Sequence, residues 1–248
     1  MDARLDIMSI TTTMLSPLRL VFDRWIPAYR GRVVPQVAEW CDEGSSVLDF
    51  GCDDGTTALA IQAQRPSLTI QGVDIQGHRP CRIPRTLYDG KRLPFDDDSF
   101  DVVLAFDVLH HTPDIGAALK ELARVARRYV ILKEHAVESR VANFFVTLSD
   151  VATNLPYGIS CTCNYPSLAQ WHAHFAAAGL EPTHFRNDLP LGIFASPRQN
   201  PIFKLAKVQE RHSLPKASTS GDGCAVQPSV ATIHQLSSVG SGVNSAAS

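Results

Sequence analysis

The stretch Val47-Leu48-Asp49-Phe50-Gly51-Cys52-Asp53-Asp54-Gly55-Thr56-Thr57 decides the fold. It begins as an apolar strand, passes through a tight turn with two glycines, and continues as a helix from about Thr57. In a doubly wound α/β sheet, a nucleotide-like ligand lies at the carboxyl end of the first strand. The stretch therefore predicts a Rossmann-like sheet with a ligand held at its turn. The predicted contacts in this turn are Asp49, Gly51, Cys52, Asp53 and Gly55.

The charge of the turn indicates which ligand it holds. Its glycines are spaced Gly-x-x-x-Gly, whereas a dinucleotide fingerprint needs Gly-x-Gly-x-x-Gly. A pyrophosphate beside Asp49, Asp53 and Asp54 would meet repulsion of about 4 kcal/mol per close contact in a semi-polar site. S-adenosylmethionine instead carries two cations, a sulfonium and an α-ammonium, which an acidic turn attracts. The turn favours this cofactor over NAD, so a nicotinamide oxidoreductase remains a weaker alternative.

Further polar residues follow the later predicted strands. Asp74 ends the second strand about twenty residues after Gly55, where a carboxylate can accept both ribose hydroxyls. Its alternative role is that of a turn or helix N-cap residue. The turn at Asp89 supplies a carboxylate that could accept the adenine amino group. The predicted cofactor contacts beyond the turn are Asp74, Ile75, Asp89, Gly90, Phe106 and Asp107.

Short apolar runs alternate with amphipathic stretches along the chain, which is typical of a parallel sheet covered by helices on both faces. A helix is predicted over residues 115–125, and a second helix begins at a capping box formed by Ser167 and Gln170. The final two strands are predicted to be antiparallel to one another. The predicted strands are 46–49, 68–74, 102–106, 129–132, 182–187 and 201–207.

Four motifs in order resemble the class I S-adenosylmethionine-dependent methyltransferases, in the small-molecule group with the Leu-Pro-Phe signature. They are Leu48-Asp49-x-Gly51-Cys52-x-Asp54-Gly55, Val73-Asp74, Leu93-Pro94-Phe95 with Ser99-Phe100-Asp101, and Val108-Leu109-His110-His111. The resemblance covers about residues 33–207. It implies a seven-stranded sheet with a reversed last strand and no metal requirement. It also implies cofactor contacts at Asp49, Gly51, Asp74, Asp89 and Phe106. A finer resemblance, through residues 132–171, is to a poorly characterised bacterial subset of this family and indicates no substrate.

Asp53 departs from the family pattern, because it stands where the second glycine of the turn is usual. Its side chain takes room beside a cofactor. Aspartate tolerates a left-handed backbone better than most residues, and its charge could favour the ammonium group. A catalytically degenerate binding protein on a methyltransferase fold is therefore the second hypothesis.

Three histidines are the candidate catalytic groups. Methyl transfer needs alignment of donor and acceptor, and a hydroxyl or amine acceptor also needs a base. His111 is the first candidate, then His135, then His110, since all three follow the fourth and fifth strands. Each could instead only hydrogen-bond the loop after the fourth strand. An insertion containing Asp150, Asn154, Tyr157 and Asn164 is predicted to form a lid and part of a small-molecule acceptor pocket.

Composition limits the classes of partner. A formal net charge of -2 gives no electrostatic support for nucleic-acid binding. The chain shows no transmembrane segment or signal peptide, although a peripheral membrane contact through residues 18–32 is a weaker alternative to packing. Six scattered cysteines lack the spacing of a zinc site, so no metal is predicted, and reduced thiols fit a cytoplasmic protein. The sequence carries no signal for an oligomeric state.

The predicted organisation has three parts. Residues 1–45 form an N-terminal helical cap, because apolar residues recur there at helical spacing. Residues 46–208 form the cofactor-binding domain. Residues 209–248 are rich in Ser, Gly, Ala and Val and contain no aromatic residue, so we expect a disordered low-complexity tail.

Overall fold

The structure, a computed structural model, describes residues 16–77, 79–154, 162–189 and 200–208. For residues 16–26, 152 and 153 it describes the backbone alone. The predicted tail 209–248 and Tyr157 lie outside the described residues. Within them, no helix has the length and apolarity that crossing a membrane requires.

Five α-helices and seven strands make up the described part of the chain. The helices are α1 (Ser16–Trp40), α2 (Thr56–Gln64), α3 (Ile115–Val125), α4 (Arg140–Asn154) and α5 (Leu168–Ala177). The strands are β1 (Ser46–Phe50), β2 (Thr69–Asp74), β3 (Arg85–Leu87), β4 (Phe100–Phe106), β5 (Ala126–Lys133), β6 (Leu180–Arg186) and β7 (Ile202–Lys207). A 3-10 turn at Leu109–His111 follows β4.

The strands form one sheet in the order β3-β2-β1-β4-β5-β7-β6. The first five strands in this order run parallel to one another, whereas β7 runs antiparallel to both β5 and β6. This confirms the predicted Rossmann-like doubly wound sheet of seven strands with a reversed last strand. It also confirms that the last two strands are antiparallel to one another. The strand order reverses between β1 and β4, where such sheets bind ligands.

Side chains of the central strands alternate between two apolar layers. In β4, Val103 and Ala105 pack in the layer that includes α3 and α5, while Val102 and Leu104 pack in the layer that includes α1 and α2. All four are fully buried. A strand buried on both faces needs an uninterrupted apolar run, which explains why residues 102–105 of β4 are all apolar.

Local signals set the ends of the helices. Asp114 caps α3, since its side chain accepts the N–H of Ala117 at 2.9 Å. The predicted capping box at Ser167 and Gln170 starts α5. The region predicted as an N-terminal cap contains α1, which runs through Pro27 and Pro35 and buries apolar residues against the sheet.

Candidate functional site

The glycine turn sits at the carboxyl end of β1 and is shaped by close packing. Gly51 has φ +71°, and a Cβ at this position would collide with the side chain of Val108. Its N–H donates to the carbonyl of Val73 at 2.8 Å, and the N–H of Cys52 shares that acceptor at 3.3 Å. Gly55 also has φ +71°, and a Cβ there would lie 2.8 Å from Ile83. Both glycines are therefore required by the backbone path.

Asp49 is the buried acid of this turn, with 4% of its surface exposed. Burial, and then the charge of Asp74, raise its pKa to about 7. Both effects disfavour the carboxylate, so a bound cation would relieve a cost that the folded chain carries.

Asp74 organises the same turn from the end of β2. Its Oδ2 accepts the N–H of Asp53 and its Oδ1 accepts the N–H of Gln76, both at 2.9 Å. The turn role considered for Asp74 is therefore present. Each carboxylate oxygen has a second lone pair, so the side chain retains the capacity to accept ribose hydroxyls.

Asp53 and Asp54 were expected to face a cationic cofactor. In the structure, both carboxylates instead lie near the guanidinium of Arg79. The carboxylate of Asp53 pairs with Arg79 at 2.5 Å, and Asp54 lies 3.5 Å from the same guanidinium. Arg85 also donates to the main-chain carbonyl of Asp53 at 2.9 Å. Asp53 has φ +46°, the left-handed conformation that its place in the turn demands. Arg79 therefore neutralises Asp53 and Asp54, which leaves Asp49 and Asp74 as the candidate acids that face a cofactor.

The predicted adenine-side residues lie beyond β2 and β3. Ile75 is 59% exposed, and Asp89 is exposed with its Oδ1 accepting the N–H of Lys91 at 2.9 Å. A Cβ on Gly90 would lie 3.5 Å from Ile75, so the structure brings these two predicted contacts together. Phe106, the last residue of β4, is half-buried and pairs with Lys133 of β5.

The Leu-Pro-Phe segment belongs to the opposite end of β4 and has a structural role. Arg124 of α3 donates to the carbonyls of Leu93 and Phe95 at 3.1 and 2.8 Å, and Glu121 accepts the N–H of Leu93 at 3.0 Å. A cavity of about 520 Å³ is lined by Leu93, Phe95 and their neighbours. Because these residues precede β4, this cavity is distinct from the cofactor edge.

Asp107 follows β4 and joins three elements. Its Oδ2 accepts the hydroxyl of Tyr29 from α1 at 2.5 Å, and its Oδ1 pairs with Lys133 of β5 at 2.5 Å. Burial opposes the charge of Asp107, but Lys133 and the neighbouring histidines together outweigh it and lower the pKa to about 2. The sequence analysis missed Tyr29 and Lys133 as partners of Asp107. The position of Lys133 at the end of an apolar strand could have indicated a buried ion pair.

His110 lies buried between two carboxylates, with 1% of its surface exposed. Its Nδ1 is 2.7 Å from Glu134, and its Nε2 is 3.5 Å from Oδ1 of Asp150. Burial opposes protonation of this ring, but Glu134 and Asp150 together outweigh it and raise the pKa to about 10. In the absence of a bound cation, His110 is therefore protonated within an ion-pair network, so we do not expect it to act as the base.

The other two candidate histidines pack beside His110. The ring centroids of His111 and His135 lie 4.1 and 5.3 Å from that of His110. His111 places Nε2 3.7 Å from Asp150. Burial, and then the charge of Lys133, lower the pKa of His135 to about 3, so its ring is neutral at pH 7. The structure thus assembles all three predicted catalytic residues in one cluster.

Asp150 and Tyr165 complete this histidine cluster from the insertion after β5. Tyr165 donates its hydroxyl to Oδ2 of Asp150 at 2.7 Å, and Asn154 donates to Oδ1 at 2.7 Å. Of the residues predicted for the insertion, Asp150 lies beside the histidines and Asn154 contacts Asp150, while the lid and the acceptor pocket stay predictions.

Most of the chain matches the model of one protein family. A model described as a methyltransferase domain matches residues 22–184. This chain belongs to the methyltransferase family. The fold and family imply S-adenosylmethionine as the cofactor, as the sequence predicted. The described residues fit this cofactor, because burial and the charge of Asp74 disfavour the carboxylate of Asp49, which a bound cation would stabilise.

Two curated relatives of this chain are about 30% identical to it. The methyltransferase GfsG of Streptomyces halstedii is 31% identical over 166 residues, and the 27-O-demethylrifamycin SV methyltransferase of Amycolatopsis mediterranei is 29% identical over 154 residues. Each match covers 56% of this chain, and 56% and 55% of the respective relative. The chain thus spans about half the length of these curated relatives.

Solved structures agree on the fold. The YcgJ protein of Bacillus subtilis superimposes with a TM-score of 0.51 at 22% identity, covering 73% of this chain and 95% of that protein. The [4+2]-cyclase SpnF superimposes with a TM-score of 0.51 at 17% identity, covering 71% of this chain and 80% of that protein. One fold therefore carries more than one reaction, and the site must supply the evidence for function.

Proposed function

We propose that this chain transfers a methyl group from S-adenosylmethionine to a small-molecule acceptor bound beside the histidine cluster. The observation that carries the proposal is the buried carboxyl of Asp49 at the end of β1, whose charged form is disfavoured both by burial and by the charge of Asp74. A cationic cofactor would offset the effects of burial and of Asp74 on this carboxylate, whereas a pyrophosphate would add repulsion.

Five residues would hold the cofactor. The turn at Gly51 would border the cofactor, Asp49 would face the ammonium group, and Asp74 would accept ribose hydroxyls. Gly90 and Ile75 would border the adenine. When bound, the cofactor supplies an activated methyl group on sulfur, and the protein's contribution is alignment and exclusion of water.

The acceptor side would be formed at the ends of β4 and β5. The names of two relatives mention small organic molecules. These relatives are the 27-O-demethylrifamycin SV methyltransferase and the ubiquinone/menaquinone biosynthesis C-methyltransferase UbiE of Geotalea daltonii. They support a small organic acceptor, of the kind that a buried imidazole and tyrosine wall can enclose.

The three histidines divide their roles. His110 is held by Glu134 and positions the cluster, as its charge and burial require. His111 and His135 keep 17% and 21% of their side-chain surface exposed, so they can meet an acceptor. His135 is neutral and can accept a hydrogen bond from an acceptor hydroxyl. His111 remains the first candidate proton acceptor, because the low pKa of His135 makes its ring a weak base.

The degenerate-fold hypothesis rested on Asp53. Its carboxylate is engaged by Arg79 and its backbone already takes the left-handed conformation of the turn. The comparisons give this alternative no support, since the relatives named above are methyltransferases.

Calorimetric titration with S-adenosylhomocysteine tests the proposal. We expect a dissociation constant of about 1–100 μM, which Asp49→Asn or Asp74→Ala weakens by about 100-fold. The matched control is Asp96→Ala, which removes an exposed carboxylate far from the turn and should leave affinity unchanged. Absence of both heat and a thermal shift at saturating ligand would contradict the proposal.

A further inference from the structure

We propose that His110, His111 and Asp150 bind one divalent transition-metal cation. Its place on the acceptor side rests on the proposed function, but the binding of metal itself does not. The family resemblance implies no metal requirement, so a resident cation would be a property of this chain.

The first support is the separation of the ligand atoms. One nitrogen from each histidine and one oxygen of Asp150 lie within 4.8 Å of one another. The two histidine Nε2 atoms are 3.5 and 3.7 Å from Oδ1 of Asp150. Tetrahedral zinc, with bonds of about 2.0–2.1 Å, separates neighbouring ligand atoms by about 3.4 Å. Small side-chain shifts would therefore close the site.

The second support is the ring of His110, which is buried and directed into the cluster. Glu134 occupies its Nδ1, and among the described residues its Nε2 has no hydrogen-bond partner. The 3.5 Å separation from Asp150 is longer than an ordinary N–H···O bond. A buried polar atom without a hydrogen bond is costly, and a cation would satisfy it.

The third support is the set of groups behind the ligands. A histidine that binds metal commonly donates its other ring N–H to a carboxylate, and ligating carboxylates are themselves hydrogen-bonded. Glu134 stands behind His110 in this way, while Tyr165 and Asn154 both donate to Asp150 at 2.7 Å. These partners fix the orientation of two of the three ligands.

The ligand set also selects the type of cation. Two imidazoles and one carboxylate suit zinc or ferrous iron, whereas magnesium and calcium prefer oxygen ligands. The described residues supply three ligands, the number that protein side chains provide in catalytic zinc sites. His111 would then serve as a ligand, which leaves His135 as the candidate hydrogen-bond acceptor for the substrate.

The competing arrangement on the same geometry is a proton on Nε2 of His110 that bridges to Asp150. It requires no metal and explains the carboxylates on both sides of the ring. The two arrangements differ in one measurable respect, since only the metal site binds cobalt stoichiometrically at His111.

Cobalt titration of the full-length protein, after treatment with EDTA, tests the proposal. We expect saturable visible absorption at one Co²⁺ per chain, and displacement by Zn²⁺. His111→Gln and Asp150→Asn should each weaken cobalt binding by at least about 10-fold, and Tyr165→Phe by about 10-fold through Asp150. His135→Gln, which alters a neighbouring ring that supplies no ligand, is the matched control and should leave binding unchanged.

Two results would overturn the metal site. One is the lack of saturable cobalt absorption in the wild-type protein. The other is equal cobalt affinity in wild type and His111→Gln, with thermal melting showing both folded. Titration with S-adenosylhomocysteine on the same samples keeps the proposals apart, because cofactor binding without cobalt binding rejects only the metal site.

Discussion

The Nδ1 atom of His110 lies 2.7 Å from Oε2 of Glu134, and both side chains are buried. The other oxygen of Glu134 accepts the N–H groups of Val108 and Leu109 at 2.9 and 2.6 Å. One carboxylate from the end of β5 therefore fixes both the turn after β4 and the imidazole that this turn carries.

Replacing Glu134 should destabilise the protein strongly. Glu134→Ala leaves two amide donors and a buried imidazole without their acceptor, so the free energy of unfolding should fall by about 3–5 kcal/mol. Glu134→Gln keeps one acceptor oxygen and should lose less. Urea denaturation measures both, with the exposed Glu181→Ala as control. A loss below about 1 kcal/mol for Glu134→Ala would show that the carboxylate does not hold this turn.

The raised pKa of Asp49 predicts a pH-dependent stability of unusual sign for an acid. The folded chain keeps a proton on Asp49 up to about pH 7, whereas the unfolded chain releases it near its ordinary pKa of 3.8. This contribution to stability is therefore lost as the pH rises between those values. Between pH 5 and pH 8 the loss should be about 2–3 kcal/mol.

Asp49→Asn removes this dependence. The difference in unfolding free energy between variant and wild type, measured at pH 5 and at pH 8, isolates the contribution of this one group. Saturating S-adenosylhomocysteine should reduce the wild-type dependence, because its ammonium group favours the carboxylate. An unchanged pH profile in the variant would mean that Asp49 titrates near its ordinary pKa.

Much of the sheet could be predicted because its central strands are apolar throughout. The prediction missed β3, which has only three residues, none of them buried, so no apolar run marks it. It also placed the start of β5 three residues late. Arg127 and Arg128 are exposed at that end and interrupt the apolar pattern although their backbone belongs to the strand.

The site was harder to predict than the fold, because its decisive contacts join residues that are distant in sequence. Glu134 and His110 are 24 residues apart, and Arg79 and Asp53 are 26 residues apart. Residue types alone indicated an acidic turn and three histidines. Only the fold shows which acids are neutralised and which histidine is enclosed by carboxylates.

Gly51→Ala should separate two costs that a side chain meets at the turn. The variant must adopt φ +71° and also displace Val108, for a combined loss of about 2–4 kcal/mol in unfolding free energy. Gly44→Ala is the matched control, since Gly44 has φ +73° with no atom within 4 Å of an added Cβ. It should lose only about 1 kcal/mol. Equal losses in the two variants would rule out the steric contribution of Val108.

Asp53→Gly tests whether the departure from the usual glycine weakens the cofactor site. The substitution relieves a left-handed aspartate, worth about 1 kcal/mol, and removes a partly exposed ion pair with Arg79, worth at most about 1 kcal/mol. Stability should therefore change little.

Because the carboxylate of Asp53 is directed to Arg79, calorimetry on Asp53→Gly should show S-adenosylhomocysteine affinity within about 3-fold of wild type. A gain of 10-fold or more would instead mean that Asp53 obstructs the cofactor, as the degenerate-fold hypothesis requires. Arg79→Gln is the complementary variant, since it keeps the Cβ of Asp53 but frees its charge, and so distinguishes obstruction by volume from an electrostatic effect.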